Sequence, residues 1–154
     1  MSVIKFRAWD TKRKKMFSAE EMGRDQLTLS PDGRGFINVD GASTRLSTYL
    51  PHLIPEQFTG RKDKNGVEIY EGSEIYFSQS KTQHFKDHVK WSDKELCYLV
   101  HCYWEKQDVF LRFCDGYEMK YTYDNSCVKR LDSECFDIVV IGNIHEGEIN
   151  NDAP

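Results

Sequence analysis

Few residues in this chain stand at spacings that carry chemistry. His84 and His88 are four apart, which on a helix would set two imidazoles on one face, as a metal site needs. The segment around them has no helical periodicity. On a strand the two would lie ~13 Å apart, too far for one ion. Five cysteines occur, at 97, 102, 114, 127 and 135, without any CxxC, and no HExxH accompanies the histidines. His101 and Cys102 are adjacent and would point to opposite faces of a strand. Cys97, Cys102 and Cys114 fall in apolar strand-like runs, where a thiol is ordinarily inert. No GxxxxGK[ST] and no GxGxxG is present, so no phosphate loop is written. These patterns give no catalytic residue, no metal site and no cofactor, and the expectation is a protein that is not an enzyme.

Two sets of residues suit binding instead. Tyr98, Tyr103, Trp104, Arg112, Tyr117, Tyr121 and Tyr123 cluster on three expected strands, and Tyr and Trp beside an Arg are typical of protein interfaces. The same residues also suit a core wall or subunit packing. The second set is cationic: Lys12, Arg13, Lys14 and Lys15 in one turn, Arg61, Lys62 and Lys64 in another. With aromatic stacking, these could serve single-stranded nucleic acid. Net charge weighs against that use. The chain carries -4, with residues 1–60 at +2 and the remainder at -6, and a phosphate backbone is bound mainly through positive charge.

The elements that must position these residues are mostly strands. The chain has 154 residues, 13% aromatic and 39% hydrophobic, which suits one β-rich domain with a smaller appendage. No apolar run approaches the roughly 18 residues that span a bilayer, and no secretory segment is visible. An odd number of cysteines then argues for reduced thiols and a cytoplasmic location. Residues 3–9 alternate as a half-buried strand, with Ile4, Phe6 and Ala8 on one face. A basic turn leads into a return at Met16-Phe17. Ser18 to Glu21 resembles a capping box before one helical turn. Residues 26–30 and 36–39 form a second hairpin across a Pro-Asp-Gly turn. Pro51 and Pro55 make residues 43–58 a packed connector rather than a helix.

The strongest turn signal is Asp63-Lys64-Asn65-Gly66, since Asn and Gly both tolerate positive φ. Beyond it, Ile69, Ile75 and Phe77 read as a β surface bent at Glu71-Gly72. Residues 78–95 are polar, with a short strand over 88–91 beside a mobile loop. Strands follow at 96–104, 108–114 and 117–123, then a polar loop over 124–134. Residues 136–144 form the final strand, and Val139-Val140-Ile141, apolar on both faces, mark it as central.

Three blocks together resemble the YopX family of phage and prophage proteins: IKFRAWD with its basic turn and KKM at 4–16, QFTGRKDKNGVEIYEG at 57–72, and VVIGNIHE at 139–146. The resemblance implies a mainly β fold: an SH3-type β-barrel over about 57–146, with an N-terminal β-hairpin region and connector over 1–56 packed on it. Residues 147–154 are expected to be a flexible acidic tail. The family has no established activity. It implies a phage- or prophage-encoded protein in the host bacterial cytoplasm that engages an unidentified phage or host protein, a host defence component included. Self-association through exposed strand edges is a further expectation. Two positions depart from the family pattern: Ser73 stands where aspartate is usual, and His145 where an aromatic commonly follows the GNI triplet.

Overall fold

A computed structural model of the chain describes residues 4–39, 48–80, 83–93, 97–104, 107–113, 118–122, 130–132 and 137–146. The protein is mainly β, as the sequence led us to expect. The described residues divide into two compact units, one within 1–58 and the other within 59–146.

The first unit contains β1 (Phe6–Asp10), β2 (Lys15–Phe17), a short helix α1 (Ala19–Arg24), β3 (Leu27–Leu29), β4 (Phe36–Asn38), β5 (Thr48–Leu50) and the first half of β6 (Leu53–Lys62). β1 pairs antiparallel with β2 on one side and with β6 on the other. Asp10 makes the intervening turn. Its buried carboxylate accepts from the backbone N–H groups of Lys12 at 2.8 Å and Arg13 at 2.9 Å. The capping box is complete. Ser18 Oγ accepts from Glu21 N–H, and the Glu21 carboxylate accepts from Ser18 N–H at 2.8 Å. β3, β4 and β5 form a separate three-stranded sheet. Ala8, Phe17, Met22, Phe36 and Leu53 make the core, with Phe6, Leu27, Leu29 and Leu50 packed on it. Burial of each larger apolar side chain contributes about 1.5–3 kcal/mol.

Two expectations for this unit need correction. β1 is not half-buried with Ile4 inside: Ala8, Trp9 and Asp10 are all buried, and Ile4 is exposed. Strand β6 runs straight through Pro55, where a connector was expected. The register explains why proline is tolerated. Thr11 N–H donates to His52 O, and Phe58 N–H to Lys5 O, so the hydrogen-bonded pairs alternate from Thr11–His52 to Lys5–Phe58. Pro55 faces Ala8 at an intervening position, where no N–H is needed.

The second unit takes up the end of β6, then β7 (Glu68–Tyr70), β8 (Ser73–Ser80), β9 (Gln83–His88), β10 (Lys90–Ser92), β11 (Cys97–Trp104), β12 (Gln107–Phe113), β13 (Glu118–Thr122), β14 (Arg130–Asp132) and β15 (Asp137–Asn143). One sheet runs β10-β11-β12-β13-β14 and another β15-β8-β9. Ile69, Ile75, Val89 and Val100 are the most deeply buried apolar residues among those described in it. Polar residues 78–80 and 83–88 are strand rather than loop, because β9 pairs with β8 along its length. β14 likewise replaces part of the expected loop over 124–134 by pairing with β13. In both cases a partner strand overrides weak local preference. β15 is not central. It lies at one end of its sheet, and Ile141, the extra residue of a bulge between Val140 and Gly142, is exposed.

Asp63 organises the β6–β7 turn. Gly66 N–H donates to Asp63 O at 3.0 Å, and Asp63 N–H to Val67 O at 2.8 Å. Only Gly66 is left-handed, at φ 81°, so the turn is a type I turn with a glycine bulge, not one with positive φ at both Asn65 and Gly66. The reason is the carboxylate: Asp63 Oδ1 accepts from Asn65 N–H and Val67 N–H, each at 2.8 Å. Before the turn, Thr59 Oγ1 donates to Ile69 O at 2.8 Å while Gly60 adopts φ 83°, which fits the Phe-Thr-Gly entry.

Candidate functional site

Trp91 is the most exposed tryptophan or tyrosine side chain described in the second unit, at 44%. It stands on β10, an end strand of its sheet, directly across from Tyr98 on β11. The two rings meet edge to face, with centroids 5.1 Å apart and planes at 70°. Trp91 Nε1 donates to Asp93 Oδ1 at 2.9 Å. The indole is therefore held by a ring on one side and a carboxylate at its polar edge. Tyr98 itself is buried, and burial, with the Glu71 carboxylate adding to it, pushes its hydroxyl up to about 12. Tyr98 acts as the support for Trp91, and the outward ring of the pair is Trp91. Val67, Ile141 and Ile144 are also exposed apolar residues of this unit.

Of the other expected partner-binding residues, Tyr103 and Trp104 belong to β11, Arg112 to β12 and Tyr121 to β13. Arg112 pairs with Leu99 and Lys120, and Tyr121 with Leu111. Their side chains, and Tyr117 and Tyr123 altogether, lie outside the described residues, as do Cys114, Cys127, Cys135 and the tail over 147–154. Trp91 was not singled out from sequence, because its neighbours are polar and its partner Tyr98 is on another strand. The available signal was a lone Trp within a short strand-like run.

The cationic residues divide between the units. Lys12 and Arg13 are exposed in the β1–β2 turn and Lys15 at the start of β2, and Lys14 in the turn takes φ 52°. Lys15 Nζ is 3.0 Å from Glu21 Oε1 and lies over the Phe17 ring at 4.9 Å. Arg13 lies over the same ring at 5.9 Å. Arg61 is half-buried, whereas Lys62 and Lys64 are exposed. Lys64 N–H donates to Ile138 O at 3.1 Å, which binds the turn to β15.

His84 and His88 lie on strand β9, where they pair with Ser78 and Glu74. The Glu74 Oε1 atom is 2.7 Å from Lys86 Nζ and 3.7 Å from His88 Nε2. Among the described residues, no three His, Cys, Asp or Glu side chains converge as metal ligands. No helix among them is long and apolar enough to cross a membrane.

Of the two departures from the family pattern, Ser73 opens β8 just after a turn and His145 lies in one. Ser73 is fully buried, and its Oγ accepts from Tyr70 N–H at 3.0 Å. His145 is buried, and its N–H donates to Asn143 Oδ1 at 3.0 Å. A Cβ at Gly142 would meet the side-chain ends of Glu146 (Oε2, 2.7 Å) and Glu74 (Oε2, 3.1 Å), so a larger residue there needs those ends to move.

The chain is similar to a protein from Enterococcus faecalis of known crystal structure, with 24% identity over 96% of this chain and 97% of that one, at a TM-score of 0.49. A comparison with curated proteins gives no match. The family model described as YopX protein matches residues 5–148, spanning the Asp10 turn, the Asp63 turn and β15; the chain belongs to the YopX family.

Proposed function

We propose that this chain is a non-enzymatic binding protein, encoded by a phage or prophage, that engages another protein of the phage or its host, host defence components included. The supporting observation is Trp91. The residue is 44% exposed on an end strand, and its ring is pinned by Tyr98 and Asp93. An aromatic side chain held in one conformation loses little entropy when a partner covers it, which is the character of interface anchors. An SH3-type closure of the second unit and a cytoplasmic location belong to the same reading. The test is affinity capture from host lysate with tagged protein, with and without nuclease. Capture of a discrete protein that survives nuclease supports the proposal. Capture that vanishes with nuclease moves the reading to a nucleic-acid-binding small barrel that uses the basic turns.

A further inference from the structure

We propose that Asn65 is a deamidation site held shut by the Asp63 carboxylate. Asn65 is exposed and precedes Gly66, so the intrinsic chemistry is favourable. Glycine has no side chain to hinder attack by its backbone nitrogen on the preceding amide. In that reaction Gly66 N loses its proton to solvent base and bonds to Asn65 Cγ. Nδ2 takes up a proton from solvent, the Cγ–Nδ2 bond breaks and ammonia leaves. Water then opens the resulting succinimide at either carbonyl, giving aspartate or isoaspartate.

The folded turn opposes each movement this requires. Gly66 N–H is committed to Asp63 O at 3.0 Å. Asn65 N–H and Val67 N–H on either side are fixed to Asp63 Oδ1 at 2.8 Å. The reaction therefore needs local opening of the turn. Once formed, isoaspartate would insert a methylene into the backbone beside Gly66 and shift Val67 N–H from Asp63 Oδ1. Damage at Asn65 would then loosen the hold of Asp63 on β15.

Purified protein, a synthetic peptide of residues 58–72, and the Asp63→Asn protein are incubated in mildly alkaline buffer. Peptide mapping then resolves asparagine, aspartate and isoaspartate at position 65. Folded wild-type protein is expected to deamidate at least about tenfold more slowly than the peptide, the factor one charge-assisted hydrogen bond carries. Folded Asp63→Asn is expected to deamidate faster than folded wild type and more slowly than the peptide. Equal rates in folded wild type and peptide, or no acceleration in folded Asp63→Asn, would overturn the proposal. If Asp63→Asn does not fold, Asp63→Glu takes its place. Wild type with and without denaturing urea supplies a second comparison, in which equal rates again count against it.

Discussion

The carboxylate of Asp63 accepts a hydrogen bond at 3.0 Å from the backbone N–H of Val140, 77 residues further along the chain. The same side chain holds its own turn through Asn65 and Val67. One buried aspartate thus joins two of the sequence blocks on which the family resemblance rests. It also covers the outer side of β15, an end strand whose N–H groups would otherwise invite pairing with another chain.

Asp63→Ala should be among the most damaging single substitutions in the second unit. It removes the acceptor of three backbone donors, so a loss of about 3 kcal/mol or more is expected. Urea unfolding measures this, and amide exchange should show faster exchange at Val140, Val67 and Asn65 together.

Acid should weaken the same contact. Burial pushes the Asp63 carboxyl up, but N–H donors from Val140, Val67 and Asn65 outweigh it and hold it below the ordinary 3.8. A carboxylate depressed in the folded state contributes stability that is present above its unfolded value and lost as pH falls through the folded one. The stability difference between wild type and Asp63→Asn should therefore shrink below the ordinary 3.8. Glu21 behaves alike: the Ser18 N–H and the Lys15 ammonium lower it from 4.5 to about 2, so its contribution fades across that interval. Unfolding curves over an acid series, with Glu21→Gln as the second variant, check both.

Glu56→Ala should destabilise the first unit strongly. Arg7 Nε lies 2.7 Å from Glu56 Oε2, and both side chains are largely buried across the β1–β6 pair. Removing Glu56 takes the carboxylate away from a largely buried guanidinium, at a cost of about 3–5 kcal/mol. Thermal or denaturant unfolding reads the loss.

Two glycines should answer differently to alanine. Gly66 sits at φ 81°, so Gly66→Ala should cost about 1–2 kcal/mol in backbone strain. At Gly142 the nearest obstacle is the movable end of Glu146. Gly142→Ala should cost less than about 1 kcal/mol, because that carboxylate can swing aside. The order of the two unfolding midpoints tests this.

The turns and hairpins of this protein were legible because their signals are local. Ser18 to Glu21 spells its own cap, and Asp63 to Gly66 its own turn. What could not be read depends on partners distant in sequence. Pro55 fits a strand only because Ala8 faces it at a position that needs no N–H. Residues 83–88 have no apolar alternation and become strand through pairing with β8. The apolar run at 139–141 suggested burial on both faces, but a bulge turns Ile141 outward. At the candidate site, Tyr98 was legible as an aromatic of interest. Its role as the support of Trp91 was not, because the pairing of β10 with β11 decides it.

The central claim is that Trp91 anchors a protein partner. The most direct measurement compares tagged wild type and Trp91→Ala, confirmed as folded, in capture from nuclease-treated host lysate with quantitative mass spectrometry. The account predicts a discrete protein retained by wild type and reduced at least about tenfold by Trp91→Ala, as truncation of an interface anchor does. Equal capture by both proteins, or capture that depends on intact nucleic acid, would contradict it.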